Sequence, residues 1–248
     1  MKRKLLSFPV IIGAILGFLG MPRVKSARQP SREGIEGQRL VEAYDQVARL
    51  PQLQALRQLV LRELEHFGPM GTLVDVGSGP GHLLMDIARA HPNLKLIGVE
   101  PSADMVELAR RNAEREGLGE RIEFRAGDAH NLPFEDESVD FVVSSLSLHH
   151  WSAPNAGLQE IHRVLKPGGQ LLIFDTRRDP RRIFYWGVLF ARQFVVPGPL
   201  REIEEPTGSI LASYTPMEVS SMLEESPFHV RRIRSGPGWI FIWARKDW

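Results

Sequence analysis

Between Arg39 and His66 apolar residues recur at helical spacing, at Leu40, Tyr44 and Val47 and again at Leu53, Leu56, Leu59, Val60 and Leu64. Pro51 falls between the two runs, and a proline inside a helix removes a hydrogen bond and clashes with the preceding turn, so the pattern predicts two helices. Beyond them, short apolar runs alternate with amphipathic ones. TLVDV predicts a first strand and His82 to Ala90 its helix; LKLIGVE predicts a second strand, followed by a helix from Ala103 to Glu116 that Ser102 opens and Gly117 closes. RIEFRAGD and VDFVVSS are the third and fourth strands. A helix from Asn155 to Leu165, ended by Pro167-Gly168-Gly169, leads to QLLIFD as the fifth. This rhythm predicts an α/β architecture with a doubly wound parallel sheet.

After Asp175 the rhythm breaks. Residues 176–214 are too long for a simple connection and carry their own apolar block, IFYWGVLFARQFVV, which marks a lid or substrate insertion whose aromatics cover an apolar substrate. The arginines around it, Arg177, Arg178, Arg181, Arg182, Arg192 and Arg201, are then a solvated face, an interfacial segment beside anionic lipid being the alternative. Thr215-Pro216-Met217-Glu218 is a capping box with proline at the first helical position. HVRRIRS and WIFIWARK, around Gly236-Pro237-Gly238, predict a terminal β-hairpin that brings the strand number to seven.

Composition changes the picture at the N-terminus. Leu5 to Met21 is a run of seventeen residues without a charge, at the short end of what crosses a bilayer as a helix, and its Leu, Ile, Val and Phe residues favour insertion by about 3–6 kcal/mol. A membrane anchor is the favoured reading of residues 1–22. A cleaved signal peptide is its rival, because MKRK makes a good leading segment, but the small-x-small cleavage site is poor; an ordinary buried helix is a third. Residues 23–38 are basic and without periodicity and read as a linker, leaving 39–248 as the folded domain. The net charge of +1 includes seven cations ahead of the first acid, Glu33, so the remainder is acidic on balance. A basic nucleic-acid-binding face is therefore not indicated. The absence of cysteine excludes disulfides, thiolate ligands and a cysteine nucleophile, and no pattern of metal ligands stands out.

VDVGSGPGH places three glycines in five positions directly after the first strand, where an open parallel sheet binds ligands at its carboxyl ends. A dinucleotide fingerprint would need a glycine at the sixth position counted from Gly77, and His82 stands there. Glu100 ends the second strand, where a carboxylate can accept hydrogen bonds from both hydroxyls of a ribose. An adenosine ligand fits a nucleotide-dependent oxidoreductase and a methyl-transferring enzyme alike.

Several motifs in order decide between them. LVDVGSGPGH, VEPSADMVELAR, GDAHNLPFEDESVDFVVSSLSLHHW and EIHRVLKPGGQLLIFD resemble the successive motifs of the class I S-adenosylmethionine (SAM)-dependent methyltransferases over roughly residues 71–175. The pattern is most similar to that of small-molecule enzymes such as the ubiquinone and menaquinone C-methyltransferases. The resemblance implies a Rossmann-like fold with SAM as cofactor. Gly77, Ser78, Gly79 and Gly81 would let the main chain lie against the ligand, and Asp75 would orient the loop or meet the ammonium. Glu100, followed by Pro101, would take the ribose hydroxyls. Met105 would pack beside the adenine, a core methionine being the alternative, while Asp128 would receive the adenine amino group with the Ala129 main chain next to it. Ser144 and Ser145 would line the cofactor or substrate side, and Tyr44 would cover the bound cofactor unless it is simply core-facing.

Methyl transfer from a sulfonium needs a general base only when the acceptor must lose a proton, and His149 and His150 follow the fourth strand at the rim where an acceptor enters. Capping and packing beside Trp151 is the competing role. The expectation is methyl transfer to a small, hydrophobic acceptor near a membrane, with the catalytic domain facing the cytoplasm, where SAM is made. An NAD(P)-dependent oxidoreductase and a non-catalytic SAM-binding protein remain the alternatives; nucleic acid is not an expected partner.

Overall fold

The computed structural model describes residues 22–31 and 35–248. The apolar segment expected as an anchor lies outside the described residues, apart from Pro22. Among the described residues no helix is long and apolar enough to cross a membrane.

Strands β1 (Thr72–Val76), β2 (Lys95–Glu100), β3 (Ile122–Ala126), β4 (Val139–Ser145) and β5 (Leu165–Thr176) run parallel, and the hairpin β6 (Val230–Ser235) and β7 (Trp239–Arg245) joins β5 in antiparallel register. The order is β3-β2-β1-β4-β5-β7-β6. Chain direction across the sheet therefore reverses between β1 and β4, and a crevice opens beyond Val76 and Ser145, the position at which such sheets take ligands.

Burial on both faces explains the nearly continuous apolar strands. Alternate residues go to opposite layers: Leu73, Phe141, Val143 and Leu172 meet Leu64, Leu84 and Ile87, while Val74, Val76, Val142 and Leu171 meet Leu158, Ile161 and Val219. Each such aliphatic side chain, taken wholly from water, contributes about 1.5–3 kcal/mol. The first layer is completed by α1 (Gln38–Ala48), α2 (Pro51–Glu65), α3 (His82–Ala90) and α4 (Ala103–Arg115), the second by α5 (Pro154–Val164) and α9 (Pro216–Glu224). Local signals set their starts. Pro51 begins α2, Ser102 Oγ accepts from Met105 N at 3.3 Å to cap α4, and Thr215 and Glu218 form the capping box of α9. Helix α5 ends at Val164, just ahead of the point where Leu165 pairs with Val139.

The insertion holds α6 (Arg182–Phe194), α7 (Gly198–Glu202) and α8 (Thr207–Ala212). Its second half covers the site: Val196, Leu200 and Ile203 pack on Leu40, Ala43, Tyr44 and Val47 of α1. Its first half does not. The aromatic block was expected to close over an acceptor, but Trp186, Phe190 and Phe194 face solvent, because Phe184, lying over Gly238, and the half-buried Val188 and Ala191 take the protein-facing side.

Residues 22–31, of which 23–31 were expected as part of a linker, run extended along this insertion as a strap. Val24 N donates to Pro180 O (2.9 Å), Gln29 N to Leu211 O (3.0 Å) and Arg28 Nε to Ala212 O (2.7 Å). The buried Arg178 guanidinium donates back to Ser26 O at 3.0 Å.

Candidate active site

The glycine loop is folded back across β2: the amides of Gly77 and Ser78 both donate to Val99 O, at 2.8 and 3.1 Å. All three glycines have positive φ, yet for different ends. A Cβ on Gly77 would fall 2.0 Å from Ser147 Oγ, and one on Gly81 would fall 2.8 Å from the Phe124 ring. Those two directions are occupied by the protein itself, so a side chain at Gly77 or Gly81 would collide with the fold. Gly79 alone of the three has an open direction, with the Tyr44 ring nearest at 3.9 Å.

Glu100, at the end of β2, accepts from Gly79 N at 3.0 Å and from Ser102 N at 3.2 Å, which ties the loop to the second strand. Burial raises its carboxyl above the ordinary range, and these two amides offset part of the rise. Asp75 is 1% exposed, and its Oδ1, like Ser78 Oγ, has no hydrogen-bond partner among the described residues. Burial, and then the charge of Glu100, pushes the Asp75 carboxyl up to about 8. A buried acceptor left open in this way is costly unless something donates to it. The residues present fit SAM: an unpartnered carboxylate for an ammonium, a second carboxylate for a diol, and a main chain approachable at Gly79. The 127–129 turn stands beside them, since Gly127 N donates to Glu100 O at 3.2 Å. There Asp128 is exposed and accepts from His130 N at 2.6 Å, and Ala129 is buried.

Other expected residues have their side chains committed to the fold. Ser144 Oγ donates to Val76 O at 2.7 Å and is fully buried, whereas Ser145 is half-buried. Met105 is buried against Val41, Leu108 and Tyr44, and Pro101 is exposed. Tyr44 faces the loop from α1. Its hydroxyl is hard to ionise, first because it is buried and then because Glu205, Glu100 and Asp175 are close enough to oppose a further negative charge.

The two histidines separate sharply. His149 is 2% exposed; its Nδ1 donates to Asp175 Oδ1 at 2.7 Å and its amide to Asp175 Oδ2 at 2.9 Å, while Nε2 has no partner among the described residues. Burial lowers its basicity, but the charge and hydrogen bond of Asp175 outweigh this and leave it raised. His150 shares a 2.7 Å hydrogen bond with Ser31 Oγ of the strap, and burial together with neighbouring His149 drops it to about 3, so it stays neutral. Of the pair, His149 alone is equipped to hold a proton near neutral pH.

Four further residues complete the site although the sequence assigns none of them a role. Asp175 and Ser147 are read in sequence only as the end of a strand and part of a loop. Glu205 comes from the insertion, where burial raises its carboxyl, and accepts from Ser209 Oγ at 2.7 Å. Asp45 receives His82 Nε2 at 2.8 Å and Asn112 Nδ2 at 2.9 Å, and Asn112 also donates to Pro80 O within the loop at 3.0 Å. His82 thus occupies the place of a fingerprint glycine to anchor α1.

Comparison with known proteins agrees with this geometry. A family model described as a methyltransferase domain matches residues 74–173. A demethylmenaquinone methyltransferase of Porphyromonas gingivalis is 31% identical over 167 residues, 67% of each chain. One from Symbiobacterium thermophilum is 34% identical over 123 residues, which span 49% of each. Among solved structures, a putative SAM-dependent methyltransferase of Methanococcus maripaludis superposes with a TM-score of 0.69 at 22% identity, covering 88% of this chain and 97% of that one.

Proposed function

Since the chain belongs to the class I SAM-dependent methyltransferases, we propose that it methylates a small, apolar acceptor taken from a membrane, a quinol of the demethylmenaquinone kind being the first to try. The named relatives support that choice of acceptor. SAM supplies a methyl group carried on a sulfonium, and in-line displacement from it depends chiefly on positioning.

In this reading Asp75 holds the ammonium, Glu100 takes the ribose hydroxyls, and the main chain at Ser78 and Gly79 lies alongside. Asp128 and the Ala129 main chain attend the adenine end, and Tyr44 closes the site from α1. His149 accepts the proton the acceptor releases, at Nε2, while Asp175 holds Nδ1–H and fixes the tautomer. His150, neutral and tied to Ser31, braces the His149 ring at a centroid distance of 4.1 Å.

The observation that carries the proposal is the pairing of two acids at the mouth of the sheet: Glu100 bound to Gly79 N, and beside it the buried Asp75, whose Oδ1 has no partner among the described residues. The test has two stages. Calorimetry with SAM and its demethylated product comes first, and saturable binding of both is expected. A screen with methyl-labelled SAM against quinols, other phenols and a membrane lipid extract then identifies the acceptor; label in none of the lipid-soluble fractions overturns the assignment of an apolar acceptor.

A further inference from the structure

We propose that α6, with the strap that runs beside its first turn, is a docking surface for an anionic lipid bilayer. The inference does not depend on which acceptor is methylated. Helix α6 is apolar on two sides, a pattern expected of a helix covered all round. One side is accounted for by the contact of Phe184 with Gly238 and by the half-buried Val188 and Ala191. The other is left exposed among the described residues. Ile183, Trp186, Phe190 and Phe194, at spacings of three and four, form one stripe, with Leu189 and Val195 along its edge. Trp186 is 68% exposed, Phe190 63% and Phe194 71%. A soluble surface rarely carries so many large apolar side chains side by side.

Two observations identify the occupant. The first is charge: a groove at the N-terminal end of the stripe is lined by Arg23 and Lys25 of the strap and by Arg182, next to Tyr185 and Trp186. Aromatics at the level of lipid headgroups, with cations around them, are the composition of an interfacial helix, and each cation near an anionic surface strengthens partitioning by about fivefold. The second is where the chain arrives. Pro22 O accepts from Arg182 N at 3.1 Å, so the uncharged run of residues 5–21 joins the described structure at the first turn of α6. An apolar segment of near-bilayer length and an exposed apolar stripe thus meet at one point. A bilayer satisfies both. The same plane would bring the neighbouring α7 and α8, which flank the site, to the source of a lipid-dissolved acceptor.

The absence of cysteine makes the test direct, because a single introduced thiol can be labelled in the full chain. A nitroxide is placed at Phe190→Cys and, as a control, at Ser221→Cys on the exposed side of α9. Vesicles of phosphatidylcholine with 30% phosphatidylglycerol are compared with pure phosphatidylcholine, and accessibility to a water-soluble relaxing agent is read. The expected result is that the label at position 190 becomes shielded on anionic vesicles and the label at 221 does not. The triple variant Trp186→Ser, Phe190→Ser, Phe194→Ser in the full chain should lose at least about tenfold in partitioning with an unchanged melting temperature and unchanged SAM affinity. A position-190 label that stays open to water on vesicles that carry the protein overturns the proposal, since residues 5–21 would then be sufficient. So does a label already shielded without lipid, which would mean that this chain or a second copy covers the stripe. SAM affinity and turnover of a water-soluble acceptor, read on the same samples, keep failure here separate from failure of the proposed chemistry.

Discussion

His149 and Asp175 are joined twice, by ring and by main chain, through both oxygens of one buried carboxylate, at 2.7 and 2.9 Å. A single acid thereby fixes the tautomer of the imidazole and the path of the loop that carries it. Asp175→Asn keeps the shape but removes the charge that raises His149. With an acceptor that loses a proton, kcat should fall about 100-fold, within the usual range for general base catalysis. The acidic limb of the kcat profile should move to lower pH, and SAM affinity should change by less than about twofold. Steady-state profiles and calorimetry on the pair check it.

Asp75 links stability and binding with opposite signs. Its folded value of about 8 lies above the ordinary 3.8, so between those pH values the folded state holds a proton that the unfolded state has released. Stability of the ligand-free protein from this group is therefore fully present below about pH 4 and falls as pH rises toward 8. Asp75→Asn should remove that slope and raise the stability of the ligand-free protein at pH 8 by at least about 1 kcal/mol. It should also weaken SAM binding at least about tenfold. In the native chain an ammonium bound to the carboxylate expels the proton, so affinity should climb between pH 6 and 8. Calorimetry in buffers of different ionisation heat should detect the proton released.

Gly77 and Gly79 should respond differently to the same methyl group. Both have positive φ, which costs a non-glycine residue about 1–2 kcal/mol. Gly77→Ala additionally drives its Cβ into Ser147, for a further 1–3 kcal/mol or about that. Gly79→Ala has nothing nearer than Tyr44, so it should fold with only the backbone strain and lose SAM affinity. A double-mutant cycle of Gly77→Ala with Ser147→Gly should recover at least about 1 kcal/mol in urea denaturation.

The strands, the doubly wound order and the terminal hairpin were legible because burial on both faces writes itself as apolar runs between turn signals. Glu100 and the glycine loop were legible for a related reason: adjacent strand ends, one after a glycine turn, meet in any parallel sheet. Which face of α6 packs on the protein was not. Periodicity reports that Trp186, Phe190 and Phe194 share a stripe, but not which of two apolar stripes the protein covers; that depends on Phe184 finding Gly238 more than fifty residues later. Asp175, Glu205 and Asp45 were equally silent, since a lone acid acquires its meaning only from a partner distant in sequence.

Asp45 supplies the last prediction. It sits where α1, α3 and α4 meet and is the shared acceptor for His82 and Asn112, with Arg49 Nε at 2.8 Å as a third donor. Burial would raise its carboxyl, but the hydrogen bonds from His82 and Arg49 win and hold it down at about 2. The folded value is below the ordinary 3.8, so its contribution, roughly 2 kcal/mol before solvent screening is discounted and nearer 1 after, is present above about pH 4 and lost as pH falls through 2. Asp45→Ala removes more than a charge, because it leaves buried His82 and Asn112 without their acceptor, at about 1–3 kcal/mol. Asn112 also holds Pro80 O, so the loop that carries Gly79 loosens with it. Thermal melts from pH 7 down to 2.5 should show Asp45→Asn and the native chain converging toward the acid end and Asp45→Ala below both above pH 4. SAM affinity should fall for Asp45→Ala although no atom of Asp45 is assigned to the cofactor. A melting curve for Asp45→Asn that ran parallel to the native one down to pH 2.5 would place the anchoring of α1 elsewhere than in this charge.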